Sequence, residues 1–259
     1  MKSIWSRWGQ NWIAHEDTAL AASSEDAARP VANAASPHLS LAWRALALSA
    51  TLDADCGAAR DFRVFGLFGL RNLTTSATVQ VTLSNVSAGG AELFDSGVLA
   101  MGVERGFDQW TLALEEAVGA RYLRFMIADA ESADDHMDVG LAWAGDGFET
   151  TVNPDYGWAA GHDDPSPGQP TPGGQTYLDR RRIVRVVSGR YAHLDRDQAR
   201  AAVIDLAREG GTRSCLLLPE PNGALAARQA ICGLLQKSTR LTRDAVGRMG
   251  FDFEIRERL

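Results

Sequence analysis

The sequence predicts a mainly β protein: a β-sandwich or jelly roll followed by a small α+β domain with one helix packed on strands. Three observations carry that expectation. Five or more short strand-like segments with turn-rich connections lie in the first 145 residues, two of them alternating with a period of two; a proline- and glycine-rich stretch then follows, and beyond it one segment takes up the helical period before strand-like segments return. At 259 residues the chain is long enough to bury two cores.

The strands of the first part come in order. FRVFGLFGL, Phe62 to Leu70, is a near-continuous apolar run that suits a fully buried strand. ATVQVTLSN sets Val79, Val81 and Leu83 against Thr78, Gln80 and Thr82. RYLRFMIAD puts Leu123, Phe125 and Ile127 on one face and Arg124 on the other, and QWTLALEE and HMDVGLAW are further short candidates. Turn-rich NVSAGG and DSGVLAMG separate them. One sheet alone would leave an apolar face in water, so two packed sheets are expected.

The stretch from Gly145 to Gln175 holds five of the nine prolines and cannot be regular throughout. Tyr156 and Trp158 suggest that its first half docks, and Pro165 to Gly174 reads as an extended linker. This places domains at 12–150 and 175–259, joined by 151–174, with residues 1–11 able to add a strand to the second.

In the second domain, Ile183 to Val187 alternates like a strand. Asp195 then suits an N-cap, Gln198 completes a capping box, and Ala199, Ala202, Val203 and Leu206 return on one face of a helix. Gly210 falls where a C′ glycine closes a last turn. Gly210 and Gly211 follow a helix C-terminus, where the partial charge is negative, so EGGTRSCLLLPEP reads as a structural corner rather than a phosphate cradle. It turns the chain into a strand, Cys215 to Leu218, that Pro219 and Pro221 end. RQAICGLLQ and MGFDFEIRERL complete the strand-like segments.

Charge is uneven. From Gln175 onward there are 16 Arg/Lys against 10 Asp/Glu, whereas the preceding residues carry 10 against 23. Lys2 and Lys237 are the only lysines, and an arginine-dominated basic half fits bidentate pairing in protein interfaces at least as well as nucleic acid. No run of 18 apolar residues is present, the N-terminus lacks an apolar signal-peptide core, and Cys56, Cys215 and Cys232 lie far apart. Buried, reduced thiols are expected.

No catalytic pattern emerges. The five histidines show no HExxH spacing, and there is no GxSxG elbow and no P-loop. The acidic loop with Asp129, Glu131, Asp134, Asp135 and Asp138 departs from an EF-hand and reads as solvated. His162, Asp163 and Asp164 read as linker polarity, and Trp5, Trp8 and Trp12 as packing rather than a sugar platform. Asn72 and Asn85 begin sequons that mean little without a secretion signal. No cofactor, metal or catalytic residue is expected.

Two resemblances cover nearly the whole chain. From Trp12 to Trp143, the SSE…P…N opening, the WR pair, the NLT turn before a strand and RYLRF…I resemble the galactose-binding-like jelly rolls of phage and prophage structural proteins. From Leu194 to the end, helix, EGG, CLLLPEP, RQAICGLL and FDFEIRE are similar to minor tail proteins of lambda-type phages and to the ring core of distal tail proteins of siphoviruses. The resemblance implies a virion structural protein without catalysis. It would form a homo-oligomeric, usually hexameric, ring at the tail tip, with tail tube, tape measure and hub proteins as partners and a host surface saccharide as a further one. The domain order departs from many distal tail proteins, which place the ring core first. The alternative is a carbohydrate-binding protein that recognises a surface glycan through the jelly roll.

Overall fold

The computed structural model describes residues 2–104, 107–155, 157–170, 172–195, 204–206, 208–209, 211–223, 225–236, 240–245 and 248–258. The chain is mainly β, and it divides into two compact units: Met1–Thr150 with Leu216–Ala230, and Thr151–Cys215 with Ile231–Leu259. Among the described residues no helix is long and apolar enough to cross a membrane.

Two long antiparallel strands, Ser49–Phe68 and Gln109–Ala128, organise the first unit; they run paired from Ser49↔Ala128 to Phe68↔Gln109. Leu141–Gly145 adds to the outer edge of one and Thr78–Ser84 to the outer edge of the other, followed by Phe94–Asp95. Period-two alternation decides which face is which. Leu52, Ala54, Leu123, Phe125, Ile127, Val79, Val81 and Leu83 are buried in one cluster. On the opposite face Arg124 donates to both oxygens of Asp53 at 2.6 and 2.7 Å, and Arg121 to both of Asp55 at 2.7 and 2.8 Å. A second small sheet pairs Trp43–Ala45 with Met137–Val139, and its Trp43, Ala45, Met137 and Val139 enter the same buried cluster. The expected β-sandwich is therefore present.

The segmentation differs from the sequence reading in two places. QWTLALEE and RYLRFMIAD form one strand, because register shifts opposite Asp55/Arg60 and Phe62/Val64 absorb the residues that break the alternation. HMDVGLAW is two strands divided at Gly140, where a Cβ would meet the Leu39 carbonyl oxygen at 2.7 Å. Ile4–Arg7 completes the unit by lying between Phe148–Glu149 and Cys215–Leu218.

RQAICGLLQ is strand only over Ile231–Leu235; Ala226–Gln229 before it is a short helix. The buried Gln109 explains the helical turn, since its Nε2 donates to the carbonyls of both Ala227 and Ala230. Arg228 adds a 2.6 Å ion pair to Glu104 and lies 5.0 Å from the Phe107 ring centroid.

In the second unit the strands run in the order Ile231–Leu235, Arg248–Glu257, Val184–Asp195, Ala159–Asp163, with Arg240–Ala245 also paired to Arg248–Glu257. Tyr191, Phe251 and Phe253 stack in its core at centroid separations of 5.4 to 6.1 Å. Residues 204–206 and 208–209 are helical and Leu206 is buried. Gln198, Ala199, Ala202, Val203 and Gly210 lie outside the described residues, while Asp195 ends a strand. Within the joining segment 151–174, Ala159–Asp163 is an edge strand, and Gly168–Pro170, in the part read as extended, pairs with Thr176–Leu178 as a hairpin.

Candidate functional site

The most organised polar cluster of the sandwich surrounds Asp138. Met137–Val139 buries its two apolar side chains, and Arg44 stands opposite Asp138 in the pairing with Trp43–Ala45. Arg44 Nε donates to Asp138 Oδ1 at 2.7 Å and its Nη2 to Oδ2 at 2.8 Å; Arg29 Nη1 reaches Oδ2 at 3.1 Å. Backbone bonds set both arginines: Arg44 N–H donates to the Arg29 carbonyl at 3.0 Å, and Asp26 N–H to the Arg44 carbonyl at 2.9 Å. Arg71 and Asp138 exchange two backbone hydrogen bonds of 3.1 Å. The segment around residues 24–46 therefore meets Asp138 through its carboxylate, and Arg71 meets it through its backbone.

Burial alone would raise the Asp138 pKa, but the Arg44 hydrogen bonds and the charges of Arg44 and Arg29 outweigh it and hold the carboxyl below the ordinary aspartate range. Beside it Asn72 adopts φ 60°, a left-handed conformation that asparagine tolerates better than most residues. Asn72 Nδ2 donates to His136 Nε2 at 2.6 Å, and His136 Nδ1 donates to Asp135 Oδ1 at 2.8 Å. Asp135 is almost fully exposed, and its bond to His136 lowers its pKa. Ser132 Oγ donates to the Asn72 carbonyl, tying the two loops together at 3.0 Å.

The acidic loop is only partly the solvated loop the sequence suggests. Glu131, Asp134 and Asp135 are exposed, but Asp129 and Asp138 are buried. Asp129 is satisfied by Thr74 N at 2.5 Å, Thr74 Oγ1 at 2.8 Å and Ser76 Oγ at 3.2 Å, so its desolvation is compensated by local donors. Among the described residues no group of three His, Cys, Asp or Glu is arranged to hold a metal ion.

The other singled-out residues are not members of this cluster. Gly210 is outside the described residues; Gly211 lies in the turn where Thr212 and Arg213 donate to the Glu209 carbonyl, and Pro219 directly follows Cys215–Leu218. His162 lies on Ala159–Asp163, and Asp163 pairs with Arg256 at 2.8 Å. The N-terminal tryptophans pack, as expected: Trp5 is fully buried and Trp8 meets Trp143 edge-on at 5.7 Å. Trp12 donates to the Asp61 carbonyl at 2.7 Å and carries Arg60 over its ring at 5.1 Å. All three cysteines are free and buried, and burial pushes the Cys215 thiol up to about 12. Sequence reasoning missed Arg29, Arg44 and Asp138 as a unit, because their pairing depends on loops far apart in the chain.

The cluster offers planar, fixed hydrogen-bonding groups at a surface: the half-exposed Arg29, the Asn72 amide, the His136 ring and the Asp135 carboxylate. Such groups match adjacent hydroxyls on a ligand without the ordering cost that mobile side chains would add.

No family model matches the chain, and no curated protein matches it. Among solved structures it is similar to a fucosidase of Ruminococcus gnavus in complex with fucose, at 13% identity and a TM-score of 0.45, over 55% of this chain and 28% of that one. It is also similar to a family 32 carbohydrate-binding module of C. perfringens in complex with galactose, at 13% identity and a TM-score of 0.41, over 53% of this chain and 98% of the module. A Streptococcus pneumoniae fucose-binding module aligns at 13% identity and a TM-score of 0.39, over 53% of this chain and 96% of the module. The chain thus spans little more than a quarter of the fucosidase.

Proposed function

We propose that the sandwich unit is a non-catalytic carbohydrate-binding module that takes a glycan at the surface formed by Arg29, Asn72, Asp135 and His136. One observation carries the reading: buried Asp138 is gripped by Arg44 and Arg29 and bonded through its backbone to Arg71, which holds the cluster from beneath while its hydrogen-bonding groups stay at the surface. Side chains locked by packing and neighbouring hydrogen bonds recognise a hydroxylated ligand at low entropic cost. A glycan array followed by calorimetry tests it, with galactose and fucose among the first probes. The expected result is saturable binding that weakens at least about tenfold in Asn72→Ala and His136→Ala, a loss of about 1.4 kcal/mol. Binding by both variants at native affinity, or none by the native chain to any glycan, overturns the proposal.

A second reading is the structural subunit of a phage tail tip that the sequence resemblance implies, with tail tube, tape measure and hub proteins as partners. An exposed arginine-rich arm in the second unit favours an assembling protein. Rings in negative-stain images and co-purification with virions are its expected outcomes; a native chain absent from purified virions counts against it.

A further inference from the structure

The second unit carries an exposed run of apolar and arginine side chains. Gly168–Pro170 and Thr176–Leu178 form a two-stranded sheet of their own, with Gly168↔Leu178 and Pro170↔Thr176 as the ends of the register. Every described residue from 172 to 183 is exposed. Within that run lie Tyr177 at 70%, Leu178 at 54% and Ile183 at 50% exposure, interleaved with Arg180, Arg181 and Arg182. Arg181 reaches Asp179 at 3.6 Å, but both side chains are more than half exposed, so this pair contributes little.

Two physical points make this more than ordinary surface. A lone two-stranded hairpin is marginally stable in water, and the side chains of this one are not buried within the chain. Tyrosine and arginine are also the residues that supply most binding energy at protein interfaces, and large apolar side chains clustered with them gain by leaving water. Charge indicates what the arm meets. The first unit carries 21 Asp/Glu against 11 Arg/Lys, and the second 12 against 15.

We propose that the arm, residues 177–183, docks on the acidic sandwich unit of a second copy of this chain. Such a contact joins different surfaces on the two copies, so it extends head to tail into closed rings or open chains. It requires neither a glycan nor a phage; it shares the arm with the tail-tip reading, and association of the purified chain without its presence in virions separates the two. The contact is smaller than a standard interface, so association is weak and concentration-dependent, in about the 1–100 μM range.

Sedimentation of the full chain over that range is the test. The native chain is expected to associate at low salt and to dissociate at about 0.5 M salt, where exposed charges are screened beyond a few ångströms. Two variants, R180E/R181E/R182E and Y177S/L178S, are each expected to remain monomeric while keeping native circular dichroism and native glycan binding or its absence. A native chain that stays monomeric throughout overturns the proposal, as does association unchanged in both variants. A monomer whose arm instead binds heparin or DNA assigns the surface to a polyanion and also overturns it.

Discussion

Arg44 grips Asp138 through two parallel hydrogen bonds, Nε to Oδ1 at 2.7 Å and Nη2 to Oδ2 at 2.8 Å, across the short pairing of Trp43–Ala45 with Met137–Val139. The carboxylate's side chain is 3% exposed, against 24% for Arg44 and 42% for Arg29. Removing the acid leaves Arg44 partly buried and unpaired, whereas removing Arg29 leaves a carboxylate still held by its stronger partner. Asp138→Ala is expected to cost about 2–4 kcal/mol, the lower part of the range for breaking a buried pair because Arg44 is not fully desolvated. Arg29→Ala is expected to cost about 1 kcal/mol or less. Urea denaturation of both checks the order, and equal costs would mean that the bidentate pair is not the anchor.

The same pair predicts an acid-side signature. Its folded carboxyl lies below the ordinary value near 3.8, so its stabilisation is present at pH above that value and is lost as pH falls through the lower folded value. The stability gap between the native chain and Asp138→Asn is therefore constant from neutral pH down to about 4 and narrows below it. Unfolding free energies at a series of pH values measure the gap directly; a gap that widens in acid contradicts the assignment.

Local pattern made the sandwich legible and long-range pairing did not. Val79, Val81, Leu83, Leu123, Phe125 and Ile127 are all buried as their alternation requires, and Arg124 faces away to meet Asp53. That information lies in neighbouring residues. The Asp138 cluster needs Arg29 and Arg44 from roughly a hundred residues earlier, and no local rule records that proximity. The acidic loop misled for a related reason: spacing distinguishes an EF-hand from other loops, but it cannot show that Thr74 and Ser76 come from another segment to satisfy Asp129. Gln109 likewise fixes the turn around Ala226–Gln229 from far upstream, where local composition alone suggested a strand.

Asp146 has the opposite sign to Asp138. Burial raises its pKa and the neighbouring charge of Asp61 adds to that, while the Gly147 N–H and the charges of Arg63 and Arg7 compensate only in part. Its ionised form is thus disfavoured by folding, and its contribution to stability falls as pH rises through the ordinary aspartate value and then through the raised one. Asp146→Asn keeps an acceptor for Gly147 and removes the charge, so it is expected to stabilise at pH 7 by about 1 kcal/mol or less. The gain should vanish below about pH 3.8, where the native side chain is protonated in both states. Thermal unfolding at pH 7 and pH 3 distinguishes this from a packing effect, which would persist at both.

Gly145 supplies the most demanding test of the sandwich's close packing. It ends the strand Leu141–Gly145, pairs with Val64 and bridges to Asn11, whose side chain also accepts from Ala144 N at 3.1 Å and donates to the Ala142 carbonyl at 3.2 Å. A Cβ at Gly145 would sit 1.6 Å from the Gln10 carbonyl oxygen and 2.7 Å from its carbonyl carbon. These are backbone atoms, so no rotamer change can clear the space, and the segment around Asn11 must move away. Moving it breaks the Asn11 hydrogen bonds to a buried strand, which adds the cost of unsatisfied polar groups to that of overpacking. Gly145→Ala is expected to lose about 3 kcal/mol or more, well above the usual effect of adding one methyl group. Gly97→Ala is the control for handling and expression: its Cβ would meet nothing within 4 Å, and its φ of 63° confines the penalty to local backbone strain of about 1–2 kcal/mol. Denaturation midpoints for the two variants separate the cases. Amide exchange adds a positional check, because Gly145→Ala should lose protection at Asn11 and Ala144 while Gly97→Ala leaves both unchanged.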